Sequence, residues 1–580
     1  MTALSESPIS PAGIELEILR HKLLAITHEM AAQLVNAAQN PEINEEKDFA
    51  TAIIDLRGNV VAIDNPVLLG TVGGVARDIV DSFRFDMKDG DVVLSSDPDR
   101  GGGRVTDISL LRPYFHEHRV ALYLMVQARV PDIGGWLQGG LFPGAVELWG
   151  EGVPFTPVKL YREGKRVRDL ATTMLLNSRR PDDIETTLTA ALATMEIGAL
   201  RIRQLIGGYS ITEVVAAMEY CQTYSERRTR SLISQWPNGH YESSVTLEHD
   251  GNGGGPVTVR LQAKVDDDHL TLDFGNSDDQ RRAFINCTLG TTVGAALLPL
   301  LCLMGSDVPA NGGLLAAVRV ASTPGKVTSA TGKAPVGWSR SHCSSEITEA
   351  VNKLLRQVAQ PRFGTLTAPA TLLFCRPESD RAARIDLGIW NISGQSGSGG
   401  LDGWGRPSVS SRGALPSVEE WEAAHPVSVR QLEYSEDTAG AGQWRGSAGF
   451  QVEFAMPPGF LFTTCRQDVA VGPAGTEGGK SGSGTTLESM DFAGSALKVA
   501  MVQTEDGLPG NLVRLTACGG GGHGSPLKRD AGAVFDDILD GLVSRTAARD
   551  LYGVLLATDG TAVDVMATEQ LRQDLGDRHG

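Results

Sequence analysis

Near the start of the chain, Leu16, Leu19, Leu23, Ile26, Met30 and Leu34 recur at helical spacing. That spacing predicts an amphipathic helix with one buried stripe. Residues 49–63 then form two short apolar runs around Arg57-Gly58-Asn59, the pattern of two strands and a turn. Residues 91–96 read as a strand that enters a long turn, Asp97-Pro-Asp-Arg-Gly-Gly-Gly103. Residues 120–126 read as a buried strand followed by a second turn, Asp132-Ile-Gly-Gly135. Leu188, Leu192, Met195, Ala199, Ile202 and Ile206 mark a helix that starts at Pro181 and Asp183 and ends at Gly207-Gly208. Residues 211–224 predict a second helix. Val257, Val259, Leu261, Ala263 and Val265 alternate with polar residues, Asp266-Asp-Asp268 turns the chain, and Leu270, Leu272 and Phe274 alternate back. A helix over residues 291–304 is expected to pack on this hairpin.

Beyond about residue 390 the pattern breaks into short apolar pieces separated by glycine. The chain has 68 glycines in 580 residues, against ~7% in ordinary proteins. Disordered linkers avoid aromatics, whereas Trp390, Trp404, Trp421 and Trp444 stand among these glycines. The region therefore reads as ordered, with extended, polyproline-like segments that need small residues at close contacts. Residues 534–556 read as helical, with Asp536, Asp537 and Asp540 on a solvated face. The expected fold class is α+β and multidomain. Two β-sheets in a barrel-like arrangement would carry helices and the glycine-rich C-terminal region. The expected divisions are an α+β domain over 1–175, a helical segment over 176–230, a hairpin and helix domain over 231–330, and a glycine-rich region with a terminal helix over 331–580.

The formal net charge is −18. Such a surface repels phosphate backbones and anionic lipid heads, which argues against nucleic-acid and membrane-surface binding. The best apolar run, residues 295–304, is about half the ~20 residues a membrane span needs, and it contains Pro299. The first residues have no basic start followed by an apolar core, so the expected location is the cytoplasm. The seven cysteines (Cys221, Cys287, Cys302, Cys343, Cys375, Cys465 and Cys518) are scattered without a Cys-x-x-Cys pair. They read as buried free thiols.

Familiar catalytic motifs fail residue by residue. Gly478-Gly-Lys-Ser481 has the end of a phosphate-binding loop, but the earlier glycine position is Ala474 and no apolar strand leads in. Gly397-Ser-Gly399 has Asp402 where a dinucleotide turn needs its third glycine. No Gly-x-Ser-x-Gly elbow is present. His116 and His118, two apart, read as part of a strand-to-strand turn and not as a metal pair. His523, among glycines, is a candidate ligand contact.

The sequence resembles the beta-type (hydantoinase B) subunits of ATP-dependent hydantoinases, 5-oxoprolinases, caprolactamase and the acetone and acetophenone carboxylases. The likeness rests on Lys47-Asp-Phe49, Asp97-Pro-Asp-Arg-Gly-Gly102 with Asp107, Asp132-Ile-Gly-Gly135, Pro157-Val-Lys-Leu160, Ile285-Asn-Cys287 and Pro309-Ala-Asn-Gly312. It continues through Gly440-Ala-Gly-Gln-Trp-Arg-Gly446 and Gly519-Gly-Gly-Gly-His-Gly524 with Pro526-Leu527. Each piece is weak alone; their order over most of the chain is the signal. The resemblance implies partner subunits of the sugar-kinase-like ATPase (hydantoinase A) type, with or without a further small subunit. Those partners would bind ATP and Mg and phosphorylate an inert carbonyl, an enol or bicarbonate. This chain would then bind no cofactor itself, and would help form the site where the activated species reacts.

Many relatives in this family carry a metal site built from an early Asp and two histidine-bearing turns. Mapped here, Asp48, Asp107 and Asp132 remain, but the histidine positions are Arg104, Arg129 and Val130. Arginine has no lone pair to give, so no metal site is expected. The three aspartates are the candidate catalytic residues, and Arg104, Arg129 and His523 the candidate substrate contacts. The two arginines would either pair with Asp48 and Asp107 as a structural cluster or present a fork to bicarbonate, carboxyphosphate or an enolate. Loss of the imidazoles points to the acetophenone carboxylase branch, in which a ketone and bicarbonate are joined to give benzoylacetate. Opening of a cyclic amide and a catalytically silent scaffold are the rival readings.

Overall fold

A computed structural model describes residues 11–305, 308–359, 364–366, 370–375, 388–405, 415, 417–425, 427–455, 461–465, 472–490, 496–497, 502–506 and 512–577. These form two compact units. One comprises residues 1–245 and 258–348; the other comprises 246–257 and 349–580.

The first unit is built on a seven-stranded sheet. Its strands are β1 (Phe49–Ile54), β2 (Val60–Ile63), β3 (Val92–Ser95), β4 (Asp107–His116), β5 (Arg119–Arg129), β6 (Val158–Arg162) and β7 (Lys165–Arg166). Their order is β2-β1-β5-β4-β3-β6-β7. Every residue of β1 and β2 is buried, so both faces of the sheet are covered, which explains apolar runs without alternation. The helices of this unit are α1 (Pro11–Ala37), α2 (Pro41–Asn44), α3 (Leu69–Phe83), α4 (Arg168–Leu176), α5 (Pro181–Gly208) and α6 (Ile211–Ile233). The predicted stripe of α1 is buried from Leu19 to Leu34, in one core with Leu124, Val126, Leu188 and Met195.

Two expected helices differ in detail. Helix α6 runs nine residues past the predicted end at 224. Its last turns bury Ser225 and Thr229, small polar residues that break an apolar pattern but bond to main-chain carbonyls. Helix α7 (Leu289–Met304) packs chiefly along α3 and reaches the hairpin sheet mainly at its parallel edge strand. Glycine explains the closeness of α3 and α7: a Cβ on Gly70 would overlap the Gly290 carbonyl, and one on Gly294 would overlap that of Val67. The hairpin sheet orders as β11-β10-β9-β8, from β8 (Gly239–Leu247), β9 (Val257–Asp266), β10 (His269–Asp273) and β11 (Val318–Ala321). Short helix α8 (Leu314–Ala317) precedes β11, and α9 (Ser344–Val358) follows it.

The second unit holds β12 (Ala370–Cys375), β13 (Gly388–Ile392), β14 (Ser428–Ser435), β15 (Gly449–Ala455), β16 (Leu461–Cys465), β17 (Thr486–Met490), β18 (Ala496–Leu497), β19 (Val502–Asp506) and β20 (Leu512–Thr516). They make one sheet of order β13-β12-β16-β19 and another of order β14-β15-β20-β17-β18. The described residues thus form four sheets, each with two distinct end strands, and none closes into the expected barrel-like arrangement.

The described glycine-rich stretches between these strands are neither helix nor strand. They bond to one another through the backbone: Gly440 N donates to Gly520 O, Gly397 N to Gly521 O, Lys480 N to Ala441 O and Gly522 N to Lys480 O. A Cβ on Gly446 would overlap the Gly520 carbonyl, and one on Gly520 would overlap that of Gln395. Of the tryptophans in this region, Trp421 is buried in an apolar cluster with Val452, Phe454 and Leu515, whereas Trp404 is exposed. The side chain of Trp390 lies outside the described residues. The helical segment expected over 534–556 is two helices, Ala531–Leu539 and Arg545–Tyr552, and a further helix, Val565–Asp577, follows them. Asp537 is not solvated as expected: it is buried and accepts bonds from Arg445 Nε (2.8 Å) and Arg529 Nε (3.0 Å).

Candidate functional site

Strand register gathers the charges of the first unit. Strands β4 and β5 pair antiparallel with Asp107 opposite Arg129. Strands β1 and β5 pair with Phe49 opposite Ala128, and Arg129 N donates to Asp48 O (3.1 Å). Three adjacent strands therefore bring Asp48, Arg129 and Asp107 to one end of the sheet. Arg104 enters from the glycine turn, whose Gly101 sits at φ +89° against Gly74, a left-handed conformation that suits glycine. A Cβ on Gly103 would lie 2.8 Å from Asp107 Oδ2, so the turn folds directly onto that carboxylate.

Arg104 bridges the two aspartates. Its Nη2 donates to Asp48 Oδ2 (2.5 Å) and to Asp107 Oδ1 (2.7 Å), and its backbone N donates to Asp107 Oδ2 (3.0 Å). Asp48 Oδ1 is taken by Arg340, which sequence reasoning missed. Arg129 lies behind this network, 4% exposed, with Nη2 donating to Gly139 O (3.3 Å) and Nε without a partner among the described residues. Burial first, then the charge of Arg104, lowers its pKa to about 10. Glu42 and Glu46 face Arg129. Burial raises both carboxyls, Glu46 to about 7. Glu151 is fully buried and accepts from Val336 N (2.9 Å) and Gly337 N (2.7 Å). Burial still raises its carboxyl to about 8.

The segment that delivers Arg340 also carries unsatisfied polar groups. Trp338 Nε1, Ser339 Oγ, Ser344 Oγ, Ser345 Oγ and Glu346 Oε2 are buried and find no hydrogen-bond partner among the described residues. Buried polar groups are nearly always bonded, so such a run calls for an explanation. The segment is held by the motifs seen in the sequence. Lys333 Nζ bonds both oxygens of Asp97 (2.7 and 2.8 Å), and Asn286 Nδ2 bonds Pro335 O (2.8 Å). The sequence signal was Trp338-Ser-Arg-Ser-His342, a polar cluster in a stretch with no helical or strand period.

Other expected site residues lie apart from this network. Asp132 accepts from Arg179 N (2.6 Å), Arg179 Nη1 (3.0 Å) and Ser178 Oγ (3.2 Å), and so anchors the start of the α5 region. His523 belongs to the second unit, where its Nδ1 lies 2.8 Å from Thr476 Oγ1. His116 ends β4, and His118 sits in the turn to β5 with φ 66°. Cys221, Cys287, Cys343 and Cys518 are buried free thiols, whereas Cys302 is exposed. A divalent cation does not fit among Asp48, Asp107 and their neighbours. Arg104 carries fixed positive charge and offers no lone pair, and Arg104 and Arg340 together occupy the carboxylate oxygens. Among the described residues, no group of three His, Cys, Asp or Glu side chains is arranged to hold a metal. No helix there is long and apolar enough to cross a membrane.

The fold and this site define a mixed α/β protein with a buried guanidinium–carboxylate centre. Residues 12–526 match the hydantoinase B/oxoprolinase family, and the chain belongs to it. It is 26% identical to the beta subunit of caprolactamase from Pseudomonas jessenii, over 96% of this chain and 98% of that one. It is also 26% identical to the B subunit of a putative D-/L-hydantoinase from Pseudomonas sp. strain NS671, over 97% and 98%. The 5-oxoprolinase 1 of Arabidopsis thaliana is 24% identical over 88% of this chain, which spans 42% of that longer protein. The fold matches the crystal structure of ATP-dependent caprolactamase from Pseudomonas jessenii with a TM-score of 0.85 at 24% identity, covering 98% of this chain and all of that one. It matches nucleotide-free acetone carboxylase with a TM-score of 0.83 at 16% identity, covering 98% and 83%.

Proposed function

We propose that this chain is one subunit of an ATP-dependent enzyme and houses the reaction of a carbonyl compound activated by phosphorylation on a partner. The observation that carries the proposal is Arg104, buried between Asp48 and Asp107 with Arg340 closing the far side of Asp48. A positive centre held in low dielectric is preorganised for charge that develops on an oxyanion. The relatives named as subunits support dependence on partners. In this reading ATP and Mg bind sugar-kinase-like partners, and this chain holds no cofactor.

For the reaction itself, we favour joining of bicarbonate to a ketone, of the acetophenone-to-benzoylacetate type. The buried guanidiniums of Arg104 and Arg129 suit a planar or tetrahedral oxyanion. ATP-dependent opening of a cyclic amide is the second reading, favoured by the caprolactamase and hydantoinase relatives. Labelled bicarbonate separates them. The complex purified with its partners, given ATP, a methyl ketone and labelled bicarbonate, is expected to place the label in an acid-stable β-keto acid. Turnover of a lactam or hydantoin with no label retained would overturn the first reading in favour of the second. Loss of activity in Arg104→Met, in a complex that still assembles, separates both from a silent scaffold.

A further inference from the structure

A second feature of the first unit lies away from the charge centre. A cavity of about 290 Å³ opens between the β1–β2 turn, α3, α6 and the Pro309-Ala-Asn-Gly312 turn. It sits beyond Asp55, at the opposite end of β1 from Asp48. Seven residues of extended chain separate the two points by about 20 Å.

The lining is mixed in character. Arg77 contributes a guanidinium that makes no ion pair or side-chain hydrogen bond among the described residues. Asn59 Nδ2 and Gln222 Nε2 both donate to Asp55 Oδ2 at 3.0 Å. That arrangement fixes the two amides and leaves their carbonyl oxygens as acceptors. Leu69 and Leu315 supply apolar wall. The cavity is also built rather than incidental. Gly312 N bonds Val60 O (2.8 Å), Asn311 Nδ2 bonds Cys221 O (3.0 Å), and Gly58 at φ +81° lets the turn lie against Arg77. The Pro309–Gly312 motif thus has a structural role in shaping this cavity, and the charge centre does not use it.

We propose that this cavity binds a small organic anion. Its carboxylate pairs with Arg77, a hydroxyl or N–H of the ligand donates to the Asn59 or Gln222 carbonyl, and its apolar body lies against Leu69 and Leu315. One guanidinium beside apolar wall favours an organic carboxylate over inorganic phosphate, which needs several donors.

Titration calorimetry of the full chain with hippurate, which carries a carboxylate, an N–H and an apolar ring, tests the assignment. Saturable binding is expected, and Arg77→Met is expected to weaken it about tenfold or more, the loss of one charge-assisted bond. A second variant acts by filling the space. Around Gly73, which lines the cavity, a Cβ would meet nothing nearer than Val60 Cγ2 at 3.6 Å, so Gly73→Leu starts from open space at its Cβ. It is expected to abolish hippurate binding with Arg77 intact. Undetectable binding to the wild type, or binding to either variant as tight as to the wild type, overturns the proposal. Arg77-dependent binding of inorganic phosphate without hippurate binding overturns the organic assignment.

Discussion

Arg104 serves two carboxylates at once: its backbone N, Nε and Nη2 donate to Asp107, and Nη2 donates to Asp48. Removing its guanidinium takes the ion-pair partner from the buried Asp107 carboxylate, while Asp48 keeps Arg340. Arg104→Met is therefore expected to cost about 3–5 kcal/mol of stability, read as a lowered denaturant midpoint. A shift below about 1 kcal/mol, the range of an exposed pair, would show that the centre is solvated. Glu151 makes a pH-dependent prediction. Its folded pKa of about 8 lies above the ordinary 4.5, so the folded state holds its proton more tightly than the unfolded state. This contribution to stability is complete below about pH 4.5 and is lost as pH rises through about 8. The melting temperature of the wild type should fall relative to that of Glu151→Gln across that window; parallel curves would count against a protonated Glu151. At this scale the sequence was partly legible. Asp48, Arg104 and Asp107 stood out because the turns around them fit the family pattern. Arg340 did not, because its partner Asp48 is 292 positions away and the polar cluster around it has no period that points to that partner.

Among the elements, those with a strong period were read correctly: α1, α5, the β1–β2 pair and the β9–β10 hairpin all lie where the apolar spacing put them. The errors have physical causes. Helix α6 continues through Ser225 and Thr229 because hydroxyls can be buried when bonded to the backbone, and apolar spacing does not count them. Helix α7 lies on α3 because facing glycines let the two approach, and apolar spacing is blind to that. The glycine-rich segments were recognised as ordered from their tryptophans, but their pairing by main-chain bonds has no period to read. Gly520→Ala tests that pairing. With a Cβ overlapping the Gln395 carbonyl, the segments around 395, 446 and 520 should lose amide-exchange protection while the seven-stranded sheet keeps its own. Unchanged protection would show that the packing yields easily.

For the whole chain, the sequence offered no nucleotide site, and the family to which it belongs includes relatives named as subunits. The isolated chain is expected to hydrolyse no ATP, and steady release of inorganic phosphate from it alone would sink the dependence on partners. The two units reach their interiors by different routes. The seven-stranded sheet is filled by Leu, Ile and Val, residues that can trade volume with their neighbours over generations. The interlaced segments of the other unit meet backbone to backbone, where the smallest available change adds a carbon atom to occupied space. A saturation-mutagenesis library should record this as two tempos of drift: frequent interchange within the sheet, and near silence at Gly446 and Gly520.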